Sequence, residues 1–380
     1  MKVLHVVPSL DRAWGGPVTV VEHLTTALSS HGVQSAVLTG VGGRLGNNPI
    51  TISGVPTTVV TQSPFGRIWT GHSFGSRRWL NEHVQDFDVI HIHELWHHLH
   101  YYSAKAANLN GIPYVVTPHG ELGTWDLKQK QFKKRIFMAL SQRNSLNKSS
   151  AIHALTKSEE ASIIGQDISS DIHVIPNGVS SINMSDSDTH NIEKIFRELR
   201  QGPKILFLGR LHIKKGLDLL FETLNLVLKS DSTATLIIAG PEEDGSGEKL
   251  LQRLKQSSIP NIAYKFTGAI PPAEARMALR LSDVYIQPSR SEGFSMSTLE
   301  AISEGTPSVI TTECNFDEIG SSGAGIVVAP DSIELADAII KIITNPESAR
   351  TMQSNATKLA QKYTWDTVSN QIADLYKSVI

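Results

Sequence analysis

Short apolar runs of four or five residues alternate along the chain with longer segments whose apolar residues recur at helical spacing. This alternation predicts parallel sheets, buried on both faces and joined by crossover helices. The predicted strands of the first half are 3–7, 35–39, 89–93, 114–117, 151–154 and 173–175. Those of the second half are 204–208, 235–239, 263–267, 284–287, 308–311 and 325–328. The sequence therefore predicts an α/β protein with two doubly wound domains.

The alternation pauses after residue 178, where residues 180–191 are polar and rich in serine and aspartate. We predict a linker there, with one domain at 1–178 and a second at 179–362. The final segment, 363–380, carries an apolar face at helical spacing and predicts one amphipathic helix.

Composition narrows the class of protein. With 380 residues, 40% hydrophobic, the chain can bury two cores, and a net charge of −2 gives no reason to expect nucleic acid as a partner. Cys314 is the only cysteine, which excludes an intrachain disulfide and favours a reducing, cytoplasmic location. Residues 1–8 read as a first strand and not as a signal peptide.

Residues 291–300 place two acids around a small polar turn that opens an apolar helix. Glu292 precedes the helix, where a carboxylate can accept hydrogen bonds from sugar hydroxyls. Gly293, Phe294 and Ser295 follow it, at a helix start whose unpaired N–H groups can bind an anion. Glu300 lies deeper in the helix and can accept hydrogen bonds from a ribose diol. An acidic first turn with a solvated glutamate is the alternative that this segment alone leaves open.

Two further strand ends carry groups suited to phosphate. After the first strand, Gly15 and Gly16 leave the backbone bare before Pro17 opens a helix. After strand 204–208, Arg210 and Lys215 supply the fork and the point charge that a diphosphate needs when no metal neutralises it. A tight turn without a ligand and solvated loop cations are the alternatives.

The spacing of Glu292 and Glu300 matches the E-x7-E motif of retaining glycosyltransferases, and the chain resembles family 4 of that group. The glycine pair, His119 after strand 114–117, the Arg210–Lys215 turn and the two acids recur in the family's order. The resemblance implies the GT-B fold, in which two Rossmann-like domains face a cleft and the last helix crosses back to the first domain. Residues 1–178 would then bind the acceptor, and 179–362 the nucleotide sugar.

The resemblance also implies roles for individual residues. The catalytic residues would be His119, Arg210, Lys215 and Glu292. The donor-binding residues would be Gly15, Gly16, Arg210, Lys215, Gly268, Glu292, Gly293, Phe294, Ser295 and Glu300. On the acceptor side we name His93, His97 and Trp125.

The expected reaction is transfer of a hexose from a nucleotide diphosphate sugar to a hydroxyl of a glycan or lipid-linked glycan. The family analogy implies retention of anomeric configuration, attack on the same face as the departing phosphate, and neither a cofactor nor a required metal. We favour a uridine diphosphate sugar over a guanosine diphosphate mannose type of donor. The donor base, the sugar, the acceptor and the oligomeric state stay open.

Two competing motifs point to metal chemistry. His93-Glu94-Leu95-Trp96-His97 spells the H-E-x-x-H signature of zinc hydrolases. That signature needs both histidines on one helical face, whereas the alternation of residues 89–93 predicts a strand followed by a turn. Asp186-Ser187-Asp188 resembles a D-x-D metal motif, but we interpret it as a solvated turn in the linker. No G-x-G-x-x-G joins a strand to a helix, so a nicotinamide cofactor is not expected.

The segment 128–148 holds seven lysines and arginines with no acid, and Phe132, Ile136, Ala139 and Leu140 recur in it at helical spacing. It predicts a basic amphipathic helix. We favour an apolar face packed inward, and keep peripheral contact with an anionic membrane as the alternative.

Overall fold

The computed structural model describes residues 1–67, 69–180 and 185–380. The chain divides into two compact units: unit 1 comprises Met1–Gly178 and Thr364–Ile380, and unit 2 comprises Val179–Tyr363. Each unit is built around one parallel sheet.

Unit 1 contains a seven-stranded sheet in the order β3-β2-β1-β4-β5-β6-β7. Its strands are β1 (Lys2–Val7), β2 (Gln34–Val41), β3 (Thr57–Thr61), β4 (Val89–His93), β5 (Tyr114–Thr117), β6 (Ala151–Ala154) and β7 (Ile172–Val174). Its helices before residue 179 are α1 (Gly16–Leu28), α2 (Phe74–His83), α3 (His98–Asn110), α4 (Thr124–Lys128), α5 (Gln131–Phe137), α6 (Arg143–Asn147) and α7 (Lys157–Ile164).

Unit 2 contains a six-stranded sheet in the order β10-β9-β8-β11-β12-β13. Its strands are β8 (Lys204–Leu208), β9 (Thr235–Ala239), β10 (Tyr264–Gly268), β11 (Val284–Gln287), β12 (Ser308–Thr311) and β13 (Gly325–Val328). Its helices are α8 (Asp186–Glu198), α9 (Leu217–Ser230), α10 (Ser246–Gln256), α11 (Pro272–Arg280), α12 (Met296–Ser303), α13 (Glu318–Ser321), α14 (Ser332–Ile343) and α15 (Pro346–Ala360).

The strand order reverses between β1 and β4 in unit 1 and between β8 and β11 in unit 2. Parallel pairing joins the two strands at each reversal, as at Leu4 with Ile90 and at Leu206 with Tyr285. In open parallel sheets, helices leave such a point towards opposite faces, and the crevice at the carboxyl ends of the strands is where ligands bind. The fold therefore directs attention to the turns after these four strands.

The last helix, α16 (Trp365–Val379), belongs to unit 1. It buries Trp365, Val368, Ile372 and Tyr376 on one face, at the helical spacing visible in the sequence. Thr364 caps its N-terminus by accepting a hydrogen bond from the backbone N–H of Thr367, 3.2 Å away. The prediction of two doubly wound domains with a returning terminal helix is thus confirmed for fold class.

The structure differs from the predictions at strand β3 and at the linker. Strand β3 was not predicted, because it is an edge strand with Val60 as its only buried residue, and its pattern is weak. The predicted linker 180–191 overlaps a helix, since α8 begins at Asp186. The Asp188 carboxylate accepts hydrogen bonds from the Ser185 backbone and hydroxyl, at 3.2 and 2.6 Å, as an N-terminal cap requires. The linker's residues 181–184 lie outside the described residues.

The segment 128–148 is not one continuous helix. Helix α4 ends at Lys128, Lys130 adopts a positive φ of 50°, and α5 and α6 flank a π-helical turn at Met138–Gln142. The favoured inward packing was wrong, because Phe132 and Leu140 are each 79% exposed. Separately, no helix in the described ranges is long and apolar enough to cross a bilayer.

Candidate functional site

The turns after β8 and β11 of unit 2 bring a lysine and a glutamate together. Lys215 ends the short 3-10 turn Ile213–Lys215, and Gly216 follows it with a positive φ of 68°. A Cβ at Gly216 would lie 1.9 Å from the Pro288 carbonyl oxygen, so only glycine lets the turn approach β11 this closely. As a result the Lys215 Nζ lies 2.6 Å from the Glu292 Oε1.

This ion pair is held by a buried polar network. The Ser289 hydroxyl donates to the Glu292 Oε1 at 2.6 Å, and the Gln287 Nε2 donates to the same oxygen at 3.2 Å. Asn315 Nδ2 donates to the Glu292 carbonyl oxygen at 2.7 Å, which fixes the backbone as well. The Lys215, Ser289 and Gln287 side chains all donate to Oε1, which leaves Oε2 to accept from a ligand.

The electrostatics of the network favour an ionised Glu292. Burial acts to raise the pKa of this carboxyl, but Lys215 and the Ser289 hydroxyl outweigh burial, and the pKa lies below its ordinary value. The Lys215 and Glu292 side chains are 15% and 11% exposed, so the charges meet in a poorly hydrated place. A charge held ready in such a place acts strongly on a ligand.

The other predicted donor-binding residues of unit 2 include Arg210, Gly268 and Glu300. Arg210 follows β8, and its Nη1 lies 2.9 Å from the Glu243 Oε1, with the arginine side chain 47% exposed. Glu300 lies in α12, and its side-chain carboxyl forms no hydrogen bond with the described residues; burial raises the pKa of this carboxyl. Gly268 ends β10 with a positive φ of 70° and open space where a Cβ would stand. Arg210 and Gly268 are exposed, whereas Glu300 is half-buried.

The segment between the two acids has mixed roles. Ser295 caps α12 by accepting a hydrogen bond from the backbone N–H of Thr298, at 3.3 Å, so its hydroxyl is engaged within the protein. The Phe294 ring packs against Phe316 and Tyr363, with centroids 5.1 and 6.2 Å away. Gly293 is half-buried. Backbone groups here, more than the Phe294 and Ser295 side chains, are open to a donor.

In unit 1, the glycine pair opens α1 at the turn after β1. Gly15 adopts a φ of 100° as the N-cap, and Gly16 has open space where a Cβ would stand. Both glycines therefore leave backbone exposed at a helix start, as an anion contact needs. The preceding Trp14 donates from Nε1 to the Glu94 Oε2 at 2.8 Å.

His119 and His93 meet at the ends of β5 and β4. The His93 Nδ1 lies 3.1 Å from the His119 Nε2, and the rings stack with centroids 5.3 Å apart. His119 adopts a positive φ of 54°, a strained conformation for a non-glycine residue and one that is frequent at functional sites. Burial lowers the pKa of His119 to about 3, so the imidazole is neutral at physiological pH.

The other two acceptor-side residues, His97 and Trp125, do not join the His93–His119 contact. His97 lies at the N-cap of α3, buried, and Trp125 is half-buried in α4. His97 instead approaches Glu94 and Glu121, with ligand atoms of the three within 4.8 Å of one another. Burial and the Glu94 carboxylate raise the pKa of Glu121 well above its ordinary value.

Among the described residues, two groups of side chains could hold a metal: His97 with Glu94 and Glu121, and His5 with His91 and His93. Both ring nitrogens of His91 are already hydrogen-bonded within the protein, which competes with a metal there. In the H-E-x-x-H motif, His93 ends a strand, as predicted, and His97 is the residue before α3. A zinc hydrolase of that class requires both histidines on one helical face. His93 and His97 do not meet this requirement.

Sequence reasoning did not identify several residues of these sites. Gln287 and Ser289 are polar residues at the end of an apolar strand, and His5 is a polar residue within another; this interruption was the available signal. Glu121 and Trp14 gave no such signal, because their meeting with Glu94 depends on how β1, β4 and β5 are arranged in the sheet.

Two family models match the chain. One, described as a glycosyl transferase 4-like domain, matches residues 15–178, and the other, described as glycosyl transferases group 1, matches residues 188–359. The chain is 26% identical to a GDP-mannose:cellobiosyl-diphosphopolyprenol alpha-mannosyltransferase of Xanthomonas oryzae, over 100% of this chain and 97% of that one. It is 27% identical to the phosphatidyl-myo-inositol mannosyltransferase of Mycobacterium leprae, over 80% and 76%.

Among solved structures, Anabaena Alr3699/HepE, crystallised with UDP and glucose, matches with a TM-score of 0.78 at 19% identity, over 100% of both chains. The two Rossmann-like sheets and this likeness define the GT-B fold. The two family models and the relatives define a glycosyltransferase. The chain belongs to family 4 of the glycosyltransferases.

Proposed function

We propose that this glycosyltransferase moves a hexose from a nucleoside diphosphate sugar to a hydroxyl of a glycan or lipid-linked glycan, with retention and without a divalent metal. The observation that carries the proposal is the largely buried Lys215–Glu292 pair, 2.6 Å apart, at the carboxyl edge of the unit 2 sheet. Arg210, half-exposed, follows the same strand as Lys215. Two cations and one acid with a spare oxygen match a diphosphate bonded to a sugar.

In the proposed reaction, the bond between the sugar's anomeric carbon and the phosphate oxygen breaks while the acceptor oxygen bonds to that carbon on the same face. The acceptor proton passes to the departing phosphate. Arg210 and Lys215 stabilise the charge that develops on the diphosphate, the step where fixed cations lower a barrier most. Glu292 accepts hydrogen bonds from sugar hydroxyls through Oε2, and Glu300 accepts from the ribose diol. His119 hydrogen-bonds a sugar hydroxyl.

The donor has two candidates. The relatives that span the whole chain act, by their names, on GDP-mannose, which favours a guanosine diphosphate mannose donor here. The sequence alone favoured a uridine diphosphate hexose, and this stays the second candidate. We place GDP-mannose first, because coverage of the whole chain includes both units.

A thermal-shift panel tests the donor class. Uridine, guanosine, adenosine and thymidine diphosphates would each be added with EDTA, and zinc alone would be a separate arm. A ligand at 100 times its Kd stabilises a protein by about 2.7 kcal/mol, so the matching base should stand out. Stabilisation by zinc alone, reversed by EDTA, would contradict the proposal and favour a metal-dependent hydrolase.

The acceptor is proposed to be lipid-linked, and the segment 128–148 supports contact with an anionic membrane. Phe132 and Leu140 are 79% exposed and Ile136 is 42% exposed, in a stretch of seven cationic and no acidic residues. Exposed apolar side chains among cations fit a surface whose headgroups are anionic and whose interior is apolar. The same whole-chain relatives act, by name, on a diphosphopolyprenol-linked sugar.

A further inference from the structure

Two chains of hydrogen bonds cross the buried sheet of unit 1. In the first, Tyr376 Oη lies 2.6 Å from His91 Nδ1, and His91 Nε2 lies 2.7 Å from Thr117 Oγ1. Thr117 Oγ1 then lies 2.8 Å from His153 Nδ1, and His153 Nε2 lies 2.7 Å from the Ile175 carbonyl oxygen. These contacts join α16 to three strands of the sheet.

Every proton in this first chain is determined, because a carbonyl oxygen can only accept. His153 must therefore donate from Nε2, and its Nδ1 must accept from the Thr117 hydroxyl. Thr117 in turn accepts from His91 Nε2–H, and His91 Nδ1 accepts from the Tyr376 hydroxyl. Burial lowers the pKa of His91 and His153, which leaves each ring with the one proton that this assignment uses.

The second chain consists of imidazoles alone. His5 Nδ1 lies 3.2 Å from His93 Nε2, and His93 Nδ1 lies 3.1 Å from His119 Nε2. Burial lowers the pKa of all three, so each carries one proton at neutral pH. No carbonyl fixes the direction. The inner end is His5 Nε2, a buried atom with no hydrogen-bond partner among the described residues.

Only two proton arrangements satisfy both hydrogen bonds. If His5 Nε2 carried a proton, a donor would be buried without an acceptor, which folded proteins avoid more strictly than an unsatisfied acceptor. The proton is therefore placed on His5 Nδ1, which donates to His93 Nε2. His93 then carries its proton on Nδ1 and donates to His119 Nε2, which leaves the His119 proton on Nδ1.

We propose that His93, itself oriented by His5, is a positioning residue that holds His119 in the tautomer protonated at Nδ1. His119 then presents a hydrogen-bond donor to a sugar hydroxyl and does not act as a base. This rests on the proposed role of His119 in the transfer reaction. It agrees with a same-face reaction, in which the departing phosphate takes the acceptor proton and no protein base is needed.

The backbone of unit 1 aims the ring. His119 is half-buried at a positive φ, and the next N–H, that of Gly120, donates to the Glu159 Oε1 at 2.6 Å. The His119 ring forms no hydrogen bond with described residues other than the one to His93. Its Nδ1 is therefore the nitrogen left for a ligand.

Nitrogen-15 NMR of histidine-labelled protein at pH 7.5 tests the tautomer, since protonated and bare ring nitrogens give separate resonances. His119→Asn identifies the His119 signals by their loss. The wild type should show His119 protonated at Nδ1 and bare at Nε2. In His93→Leu, the His119 signals should shift towards a mixture of tautomers, and turnover should fall about tenfold, as expected for loss of one hydrogen bond.

The controls separate this inference from the proposed function. His98→Asn changes a buried histidine outside both chains and should leave the His119 signals in place. His5→Gln offers a second, milder change if His93→Leu does not fold. Two results would overturn the inference even in an active transferase. One is a wild-type His119 protonated at Nε2, and the other is a set of His119 signals that neither His93→Leu nor His5→Gln changes. A Nδ1-protonated His119 in a protein inert towards every nucleotide sugar would overturn only the proposed function.

Discussion

Replacing Lys215 with methionine removes an ammonium group 2.6 Å from the Glu292 Oε1 while keeping most of the side-chain volume. Removal of one partner from a buried ion pair costs about 3–5 kcal/mol of folding free energy. Glu292 keeps its hydrogen bonds from Ser289 and Gln287, which partly compensate, so we expect the lower end, about 3 kcal/mol. In a unit the size of unit 2, this lowers the melting temperature by roughly 6–12 °C.

The double variant Lys215→Met with Glu292→Gln removes both charges and so leaves no unpaired charge buried. It should be more stable than the sum of the single variants by about 1–3 kcal/mol, the coupling expected for groups in direct contact. Turnover should not recover. Each single variant and the double variant should lose at least about 100-fold in kcat, as when a fixed group for transition-state charge is removed.

Calorimetry and a nucleoside diphosphate release assay would be run on the wild type, Lys215→Met, Glu292→Gln and the double variant. Arg253→Met is the matched control, because it breaks a half-exposed pair with Glu222 elsewhere in unit 2 and should cost about 0–1 kcal/mol with normal turnover. Retention of turnover within about threefold by Lys215→Met would refute the assigned role. Additive stability losses would refute the buried pairing.

Three further outcomes follow from the structure. Glu300→Gln should raise the KM for the donor about tenfold with a smaller change in kcat, because a ribose contact is alike in ground and transition states; unchanged KM would contradict the diol contact. Phe132→Ser with Leu140→Ser should weaken binding to anionic vesicles at low salt about 100-fold, whereas Leu109→Ser, at an equally exposed leucine of α3, should not; no binding by the wild type would remove the membrane contact. Burial lowers the pKa of His5 to about 3, whereas a histidine of the unfolded chain has a pKa of about 6.5. Above pH 6.5 a buried histidine such as His5 costs unit 1 no stability. As the pH falls below 6.5, only the unfolded chain takes up the proton, and unit 1 loses stability. For each such histidine, protonation of the unfolded chain lowers the free energy of unfolding by about 2 kcal/mol at pH 5. The buried acids Glu121 and Glu159, whose pKa is raised, act in the opposite direction but are fewer. Calorimetry should therefore show that unit 1 loses more stability than unit 2 between pH 7 and pH 5.

The strands that flank the sites could be predicted from the sequence, because most of them are short, buried runs of mainly apolar residues. Strands β4, β5, β6, β8, β9, β11, β12 and β13 have the predicted bounds. The edge strand β3 was missed because one face is solvated and only Val60 is buried. Helix α8 was hidden for a related reason: its first turns are polar, and its buried apolar residues, Ile192 and Phe196, lie beyond the polar run.

Local sequence could name Lys215 and Glu292 but could not pair them. They are 77 positions apart, and their contact depends on β8 lying beside β11 in the sheet. The His5–His93–His119 chain depends in the same way on the order β1-β4-β5. The exposure of Phe132 and Leu140 was beyond periodicity as well, because spacing defines an apolar face without showing what covers it.

The most direct test of the account is the transfer reaction itself, measured as nucleoside diphosphate released from GDP-mannose and from UDP-glucose in the presence of EDTA and a polyprenyl diphosphate-linked sugar. We expect release from one of these donors, GDP-mannose first, that EDTA does not lower and that Lys215→Met abolishes. Release that requires an added divalent metal, or that Lys215→Met leaves intact, would contradict it.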